Sequence, residues 1–209
     1  MIIRFLFDVI GIEKPRYLDI GAYHPTQLSN TAHFYHMGSR GINVEPNPLL
    51  FPAFTAQRKQ DLNLNVGVLD RSGACDFFLM APDTLSTFSK TDAERHVAEG
   101  VGGIANVLPV PVCTIHEILA KLSTDAKPDF LCIDVEGCEE GIFQSMDFTA
   151  WSPLVICCET ISFSTTGTGR KSQLLIDLIQ SRGYLAYADT YINTIFVLER
   201  AWNKRSASI

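Results

Sequence analysis

An α/β fold built on a mainly parallel, doubly wound sheet is predicted here from three observations. Short apolar runs alternate with helix-length amphipathic segments over most of the chain. A glycine turn follows the first run, Tyr17-Leu18-Asp19-Ile20-Gly21, and an acid, Glu45, ends the second. Two late runs, Tyr184–Asp189 and residues 194–199, are joined closely enough to form an antiparallel pair. With 209 residues, 46% of them apolar, the chain fits a single domain with a full core over residues 1–209.

The elements follow in order. Residues 1–14 open with MIIRFLFDVIGI, an apolar stretch broken by Arg4 and Asp8 and followed by no small-residue cleavage site. It reads as a leading amphipathic helix packed on the domain; a membrane-docked helix is the competing reading. Tyr17–Ile20 is the first strand, residues 27–37 a helix, and Gly41–Val44 the second strand. The next helix opens at Asn47, with Pro48 in its first turn, and runs to about Arg58. Residues 63–69 read as a strand, and Arg71-Ser72-Gly73 turns into an added strand over residues 75–80. Between Ala81 and Pro111 the pattern breaks. That stretch holds Leu85-Ser86-Thr87, a polar helical piece near residues 92–99, and Gly100-Val101-Gly102-Gly103. Long irregular stretches in compact domains usually serve function, so residues 81–111 are expected to be an inserted substrate lid.

Regularity returns at residues 114–122, where Ile115, Ile118, Leu119 and Leu122 recur at helical spacing. Residues 130–135 form a strand, 139–148 a helix, and 154–158 a strand ending at Glu159-Thr160. A polar loop at residues 162–169 precedes an amphipathic helix over residues 171–182, stopped by Gly183. The chain has no internal repeat and no low-complexity tract.

In open α/β sheets, ligands bind outside the carboxyl ends of the strands, and an acid at the second strand tip can accept both hydroxyls of a ribose. A dinucleotide pyrophosphate needs a G-x-G-x-x-G turn. After Gly21 this chain has Ala22, Tyr23, His24 and Pro25, with no second or third glycine. S-adenosylmethionine carries an adenosine and a charged amino-acid tail but no phosphate, so it suits this turn. Asp19 is then expected to fix the turn and the cofactor's ammonium end, and Glu45 to take the ribose. The plainer alternative is a structural aspartate at a strand end and a solvated glutamate beside a proline.

DIGAYHP (19–25), SNT (29–31) and GINVEPNP (41–48) resemble the opening of the FkbM family of S-adenosylmethionine-dependent methyltransferases. Asp129 to Glu139, DFLCIDVEGCE, resembles its second block, Leu85-Ser86-Thr87 its mid-chain element, and Asn193-Thr194-Ile195-Phe196-Val197 its closing strand. The likeness spans residues 15–199. It departs at Pro25, where many members have glycine, and at Cys132, where many have lysine. The resemblance implies a Rossmann-like, mainly parallel seven-stranded sheet of class I methyltransferases with an antiparallel C-terminal strand. It implies cofactor contacts from Asp19, Gly21, Ala22, Asn30, Glu45 and Asn47. It further implies O-methylation of a sugar, a glycan or a similar polar natural product.

Methylating an alcohol requires removal of its proton, by a general base or with the help of a metal ion. Asp134 and Glu136 stand two apart at one strand tip, Glu159 ends the next strand, and His24 follows the first. Asp134 is the favoured base, with Glu136 and His24 as further catalytic candidates. Asp134 and Glu159 are the ligands to expect if a divalent metal takes part, a point the sequence leaves undecided. His33 and His36 lie three apart with no third ligand in view, which favours a surface or packing role.

A net charge of −6 argues against a nucleic-acid binder, and no run reaches membrane-spanning length. The six cysteines form no C-x-x-C pair, which is the economical pattern of buried thiols in a reducing cytoplasm. The expected partner is therefore a small-molecule or glycan acceptor, with oligomeric state open. Two other functions compete: a nicotinamide-dependent oxidoreductase on a similar fold, and an inactive cofactor-binding module that recognises glycans or a protein.

Overall fold

The computed structural model describes residues 2–123, 126–161 and 169–205; the expected polar loop at 162–169 lies outside these residues save for Gly169. The strands are β1 (Tyr17–Ile20), β2 (Gly41–Val44), β3 (Leu62–Leu64), β4 (Gly67–Val68), β5 (Gly73–Ala81), β6 (Gly103–Cys113), β7 (Phe130–Ile133), β8 (Val155–Glu159), β9 (Tyr184–Asp189) and β10 (Asn193–Leu198). Seven of them form one sheet in the order β3-β2-β1-β7-β8-β10-β9. Strands β1, β2, β3, β7 and β8 run parallel, and β10 runs antiparallel to both β8 and β9. This is the doubly wound, mainly parallel seven-stranded sheet that the sequence predicts, with an antiparallel strand near its C-terminus.

Alternation along the strands divides the core between two faces. Leu18, Ile20, Leu131, Ile133, Ile156 and Phe196 pack on one side. There they meet α5 (Ile115–Leu119), α6 (Glu139–Ser145) and α7 (Gln173–Ser181) through Ile118, Phe143 and Ile179. Tyr17, Phe130, Val155, Ile195 and Val197 face the other side. That side is covered by α1 (Ile2–Ile10) through Ile3, Leu6 and Phe7, and by Phe34 of α2 (Ala32–His36). Helix α1 thus packs its apolar side chains against this face of the sheet. Each such side chain contributes roughly 1.5–3 kcal/mol by leaving water.

Several expected elements are shortened or divided. The helix expected over residues 27–37 is only α2, because the chain before it is held in a loop with Tyr23 and Leu28 at positive φ. The helix expected from Asn47 is α3 (Phe51–Gln57), preceded by turns. Residues 63–69 do not make one strand. Asn65 turns its side chain onto the carbonyls of Glu45 and Pro46, at 2.8 and 3.2 Å, and the chain leaves the main sheet there. Strand β4 then joins a second, three-stranded sheet of order β4-β6-β5.

The 81–111 stretch is not irregular throughout. It holds α4 (Lys90–Ala98) and the start of β6, which pairs antiparallel with β5. Pro109 and Pro111 are tolerated in β6 because β4 reaches it only at Val112 and Cys113, which leaves that edge open beside the prolines.

Candidate active site

The carboxyl ends of β1, β2, β7 and β8 face one cleft of about 740 Å³. Its base is a close approach of two strand tips. Gly21 has φ +73°, and a Cβ there would lie 1.7 Å from the Asp134 carbonyl oxygen. The ladder continues past the strands: the Asp134 amide donates to the Ile20 carbonyl, and the Gly21 and Ala22 amides donate to that of Val44.

Glu45 is 4% exposed and held from both sides. Its Oε2 accepts the Tyr23 amide and its Oε1 the Asn47 amide, both at 2.7 Å. Each oxygen keeps a further lone-pair site for a ligand hydroxyl. Asn47 is buried and accepts the Leu49 amide through its side chain, fixing the turn that leads into α3. Asp19 is buried and accepts the Thr31 hydroxyl at 2.6 Å. Asn30 directs its amide at the Cys132 sulfur, 3.4 Å away.

At the β7 tip Glu136 adopts φ +54°, and its carbonyl accepts the Thr87 hydroxyl at 2.7 Å. The mid-chain Leu85-Ser86-Thr87 element is thereby tied to the D-V-E-G turn. Glu139 closes the same turn from below, accepting the Val135 and Gly137 amides at 2.9 and 3.0 Å. One oxygen each of Asp134, Glu139 and Glu159 lie within 4.8 Å of one another.

Nine of the expected site residues line the cleft: Asp19, Gly21, Ala22, Asn30, Glu45, Asn47, Asp134, Glu136 and Glu159. His24 does not. Its Nδ1 accepts the amides of Thr26 and Gln27, which makes it the organiser of its own loop. Residues 83–86 and Phe88, which also line the cleft, lie within the stretch expected to cover it; Tyr23 and Phe77 line it too, and the sequence reading did not single them out.

Six carboxylates line this cleft, those of Asp19, Glu45, Asp83, Asp134, Glu136 and Glu159, and among the described residues no lysine, arginine or histidine does. Burial raises the Asp19 carboxyl to about 6, against the opposing pull of Thr31 and Arg58. Burial raises Glu45 to about 7 despite its two amide donors, and Glu139 to about 7 likewise. Asp134, Glu136 and Glu159 are all pushed upward, chiefly by burial, and for the two glutamates by neighbouring carboxylates as well. Glu159 and Asp134 stand close enough to disfavour a second charge, so the pair is held toward sharing a proton.

These shifts have a consequence for stability. Acids with a raised folded-state pKa bind protons more tightly in the native than in the unfolded chain, so stability falls as pH rises through the folded values. For Asp19, Glu45 and Glu139 that window runs from their ordinary range near 4 up to about 6 to 7, above which the loss is complete. Thermal unfolding of the ligand-free protein should therefore come at least about 5 °C higher near pH 5.5 than near pH 8. A melting temperature that falls on acidification over this range contradicts the burial of these charges.

Comparison with known proteins bears on the same residues. The family model of the methyltransferase FkbM domain matches residues 19–186, which run from the acid of the β1 tip into β9. No curated protein and no solved structure matches the chain.

Proposed function

The chain belongs to the FkbM family of methyltransferases, and on that premise we propose an S-adenosylmethionine-dependent O-methyltransferase acting on a hydroxyl of a sugar, a glycan or a similar polar natural product. One observation carries the cofactor: the cleft at the strand tips is lined by acids and, among the described residues, by no basic side chain. Such a surface attracts a ligand bearing a sulfonium and an ammonium, and repels a pyrophosphate.

In this reading Glu45 receives the ribose hydroxyls and Asp19 the ammonium group. Gly21 and Ala22 let the cofactor approach the backbone, and Asn30 and Asn47 complete the walls. Val66, Val68, Phe77 and Phe88 supply the apolar side suited to a purine ring. S-adenosylmethionine, when bound, supplies a methyl group activated on a sulfonium. Asp134 accepts the proton that the acceptor hydroxyl loses, and Glu136 orients that hydroxyl. His24 is set aside as a catalytic group because it stays out of the cleft. The lid contracts from residues 81–111 to the 83–88 segment, most of which borders the cleft. A metal-assisted variant would use Asp134 and Glu159. It is the second reading, since among the described residues only the acidic cluster of Asp134, Glu139 and Glu159 supports a metal. Turnover that survives a chelator favours direct base catalysis, whereas turnover lost to chelator and restored by magnesium favours the metal.

The acceptor class rests on the family resemblance and on the polar mouth of the cleft, where Thr26, Ser29 and Thr84 stand. No helix among the described residues is long and apolar enough to cross a membrane. The six cysteines are free, which favours a reducing cytoplasm as the place of action.

Glu45→Ala tests the ribose contact. Losing a charge-assisted pair of hydrogen bonds should weaken S-adenosylhomocysteine binding at least about tenfold in a folded protein. Unchanged affinity removes Glu45 from the cofactor site. Mass-spectrometric screening of glycan acceptors with methyl-labelled cofactor then tests the transfer itself.

A further inference from the structure

Arg58 has no place in the site as described, yet its side chain is 2% exposed. A buried guanidinium is costly unless every donor is satisfied, and here the donors are directed at particular partners. Nε donates to the Pro25 carbonyl at 2.9 Å. Nη1 donates to the Tyr17 hydroxyl at 2.9 Å and pairs with Asp61 at 3.4 Å. Nη2 reaches the Ser29 and Thr31 hydroxyls, each at 3.2 Å. The cation also lies 4.8 Å over the Tyr35 ring.

Three of these partners, Pro25, Ser29 and Thr31, belong to the loop after β1. Thr26, Leu28, Ser29 and Asn30 of that loop line the cleft. Thr31 has a second role: the hydroxyl that accepts from Arg58 donates to Asp19 at 2.6 Å. A two-bond relay thus joins a buried cation to the carboxylate at the β1 tip. Asp61 does not absorb this charge alone, since it also accepts from Tyr17, Asn43 and the Gly41 amide.

We propose that Arg58 is a positioning residue of the cofactor site: it braces the 25–31 loop as a wall of the cleft and, through Thr31, keeps the Asp19 carboxylate aimed and charged to receive an ammonium group. The assignment rests on the cofactor reading above. Asp19 faces Thr31 and Cys132 directly, with Arg58, Asp134, Glu45 and Tyr17 as its charged or titratable neighbours, and Arg58 supplies the positive charge among them. Removing that charge leaves the hydrogen bonds to Thr31 and Cys132 alone to favour an ionised Asp19 against burial and the neighbouring carboxylates.

The test is calorimetric titration with S-adenosylhomocysteine across about pH 5.5 to 8.5. Arg58→Met should bind at least about tenfold more weakly near pH 7.5, and its affinity should fall off at a higher pH than in the wild type. Arg58→Lys, which keeps the charge but not the planar fork, should regain the wild-type pH profile without regaining full affinity. Thr31→Val cuts the relay with Arg58 left in place, so it should shift the profile in the same direction as Arg58→Met. It carries the test if Arg58→Met does not fold. A wild-type protein that binds no S-adenosylhomocysteine overturns the cofactor reading and this role with it. A wild type that binds, with folded Arg58→Met and Thr31→Val matching its affinity and profile, overturns the role of Arg58 alone.

Discussion

Gly21→Ala should abolish S-adenosylhomocysteine binding and lower the melting temperature by about 10 °C or more. The added Cβ would stand 1.7 Å from the Asp134 carbonyl oxygen and 2.8 Å from its carbon, distances no real contact shows. Neither atom can retreat cheaply, because the Asp134 amide is bonded to Ile20 in the adjacent ladder. The φ of +73° adds strain for any residue with a Cβ. Gly183→Ala separates the two effects. Its φ is +87°, but nothing lies within 4 Å of the new Cβ, so it should cost only about 1–2 kcal/mol. Equal losses at the two positions would show that strand-tip contact at Gly21 is not what the fold depends on.

Asp134→Asn should reduce methyl transfer about a hundredfold or more while changing S-adenosylhomocysteine affinity little, once an acceptor is in hand. The amide keeps the size of the side chain and loses the ability to take a proton. Burial raises the Asp134 carboxyl above its ordinary range, which brings its basicity closer to what alcohol deprotonation near neutrality needs. Retained turnover would move the search for a base to Glu136 and Glu159, since His24 does not line the cleft.

What the sequence made legible follows the geometry of strand tips. Asp19, Gly21, Glu45, Asp134, Glu136 and Glu159 each end or follow an apolar run, and parallel order alone brings such positions to one edge of the sheet. Strand β6 was hidden because Gly103, Pro109 and Pro111 are the usual marks of a loop. The prolines persist in a strand because its second edge is mostly open. The 63–69 run concealed its break at Asn65, whose side chain satisfies carbonyls 19 and 20 positions away. Arg58 left no trace in the pattern. Its partners Pro25, Ser29 and Thr31 lie 33, 29 and 27 positions earlier, and only the folded loop gathers them. Periodicity reports which face a residue takes, whereas such long-range polar contacts depend on how loops close.

The most direct test of the account is calorimetry of the wild-type protein with S-adenosylhomocysteine and, separately, with NAD. An acidic cleft with no basic side chain among its described lining residues should bind the phosphate-free nucleoside at one site per chain and show no heat with the dinucleotide. Binding of NAD in its place would contradict the account and restore the oxidoreductase reading, and binding of neither would take the cofactor out of the cleft altogether.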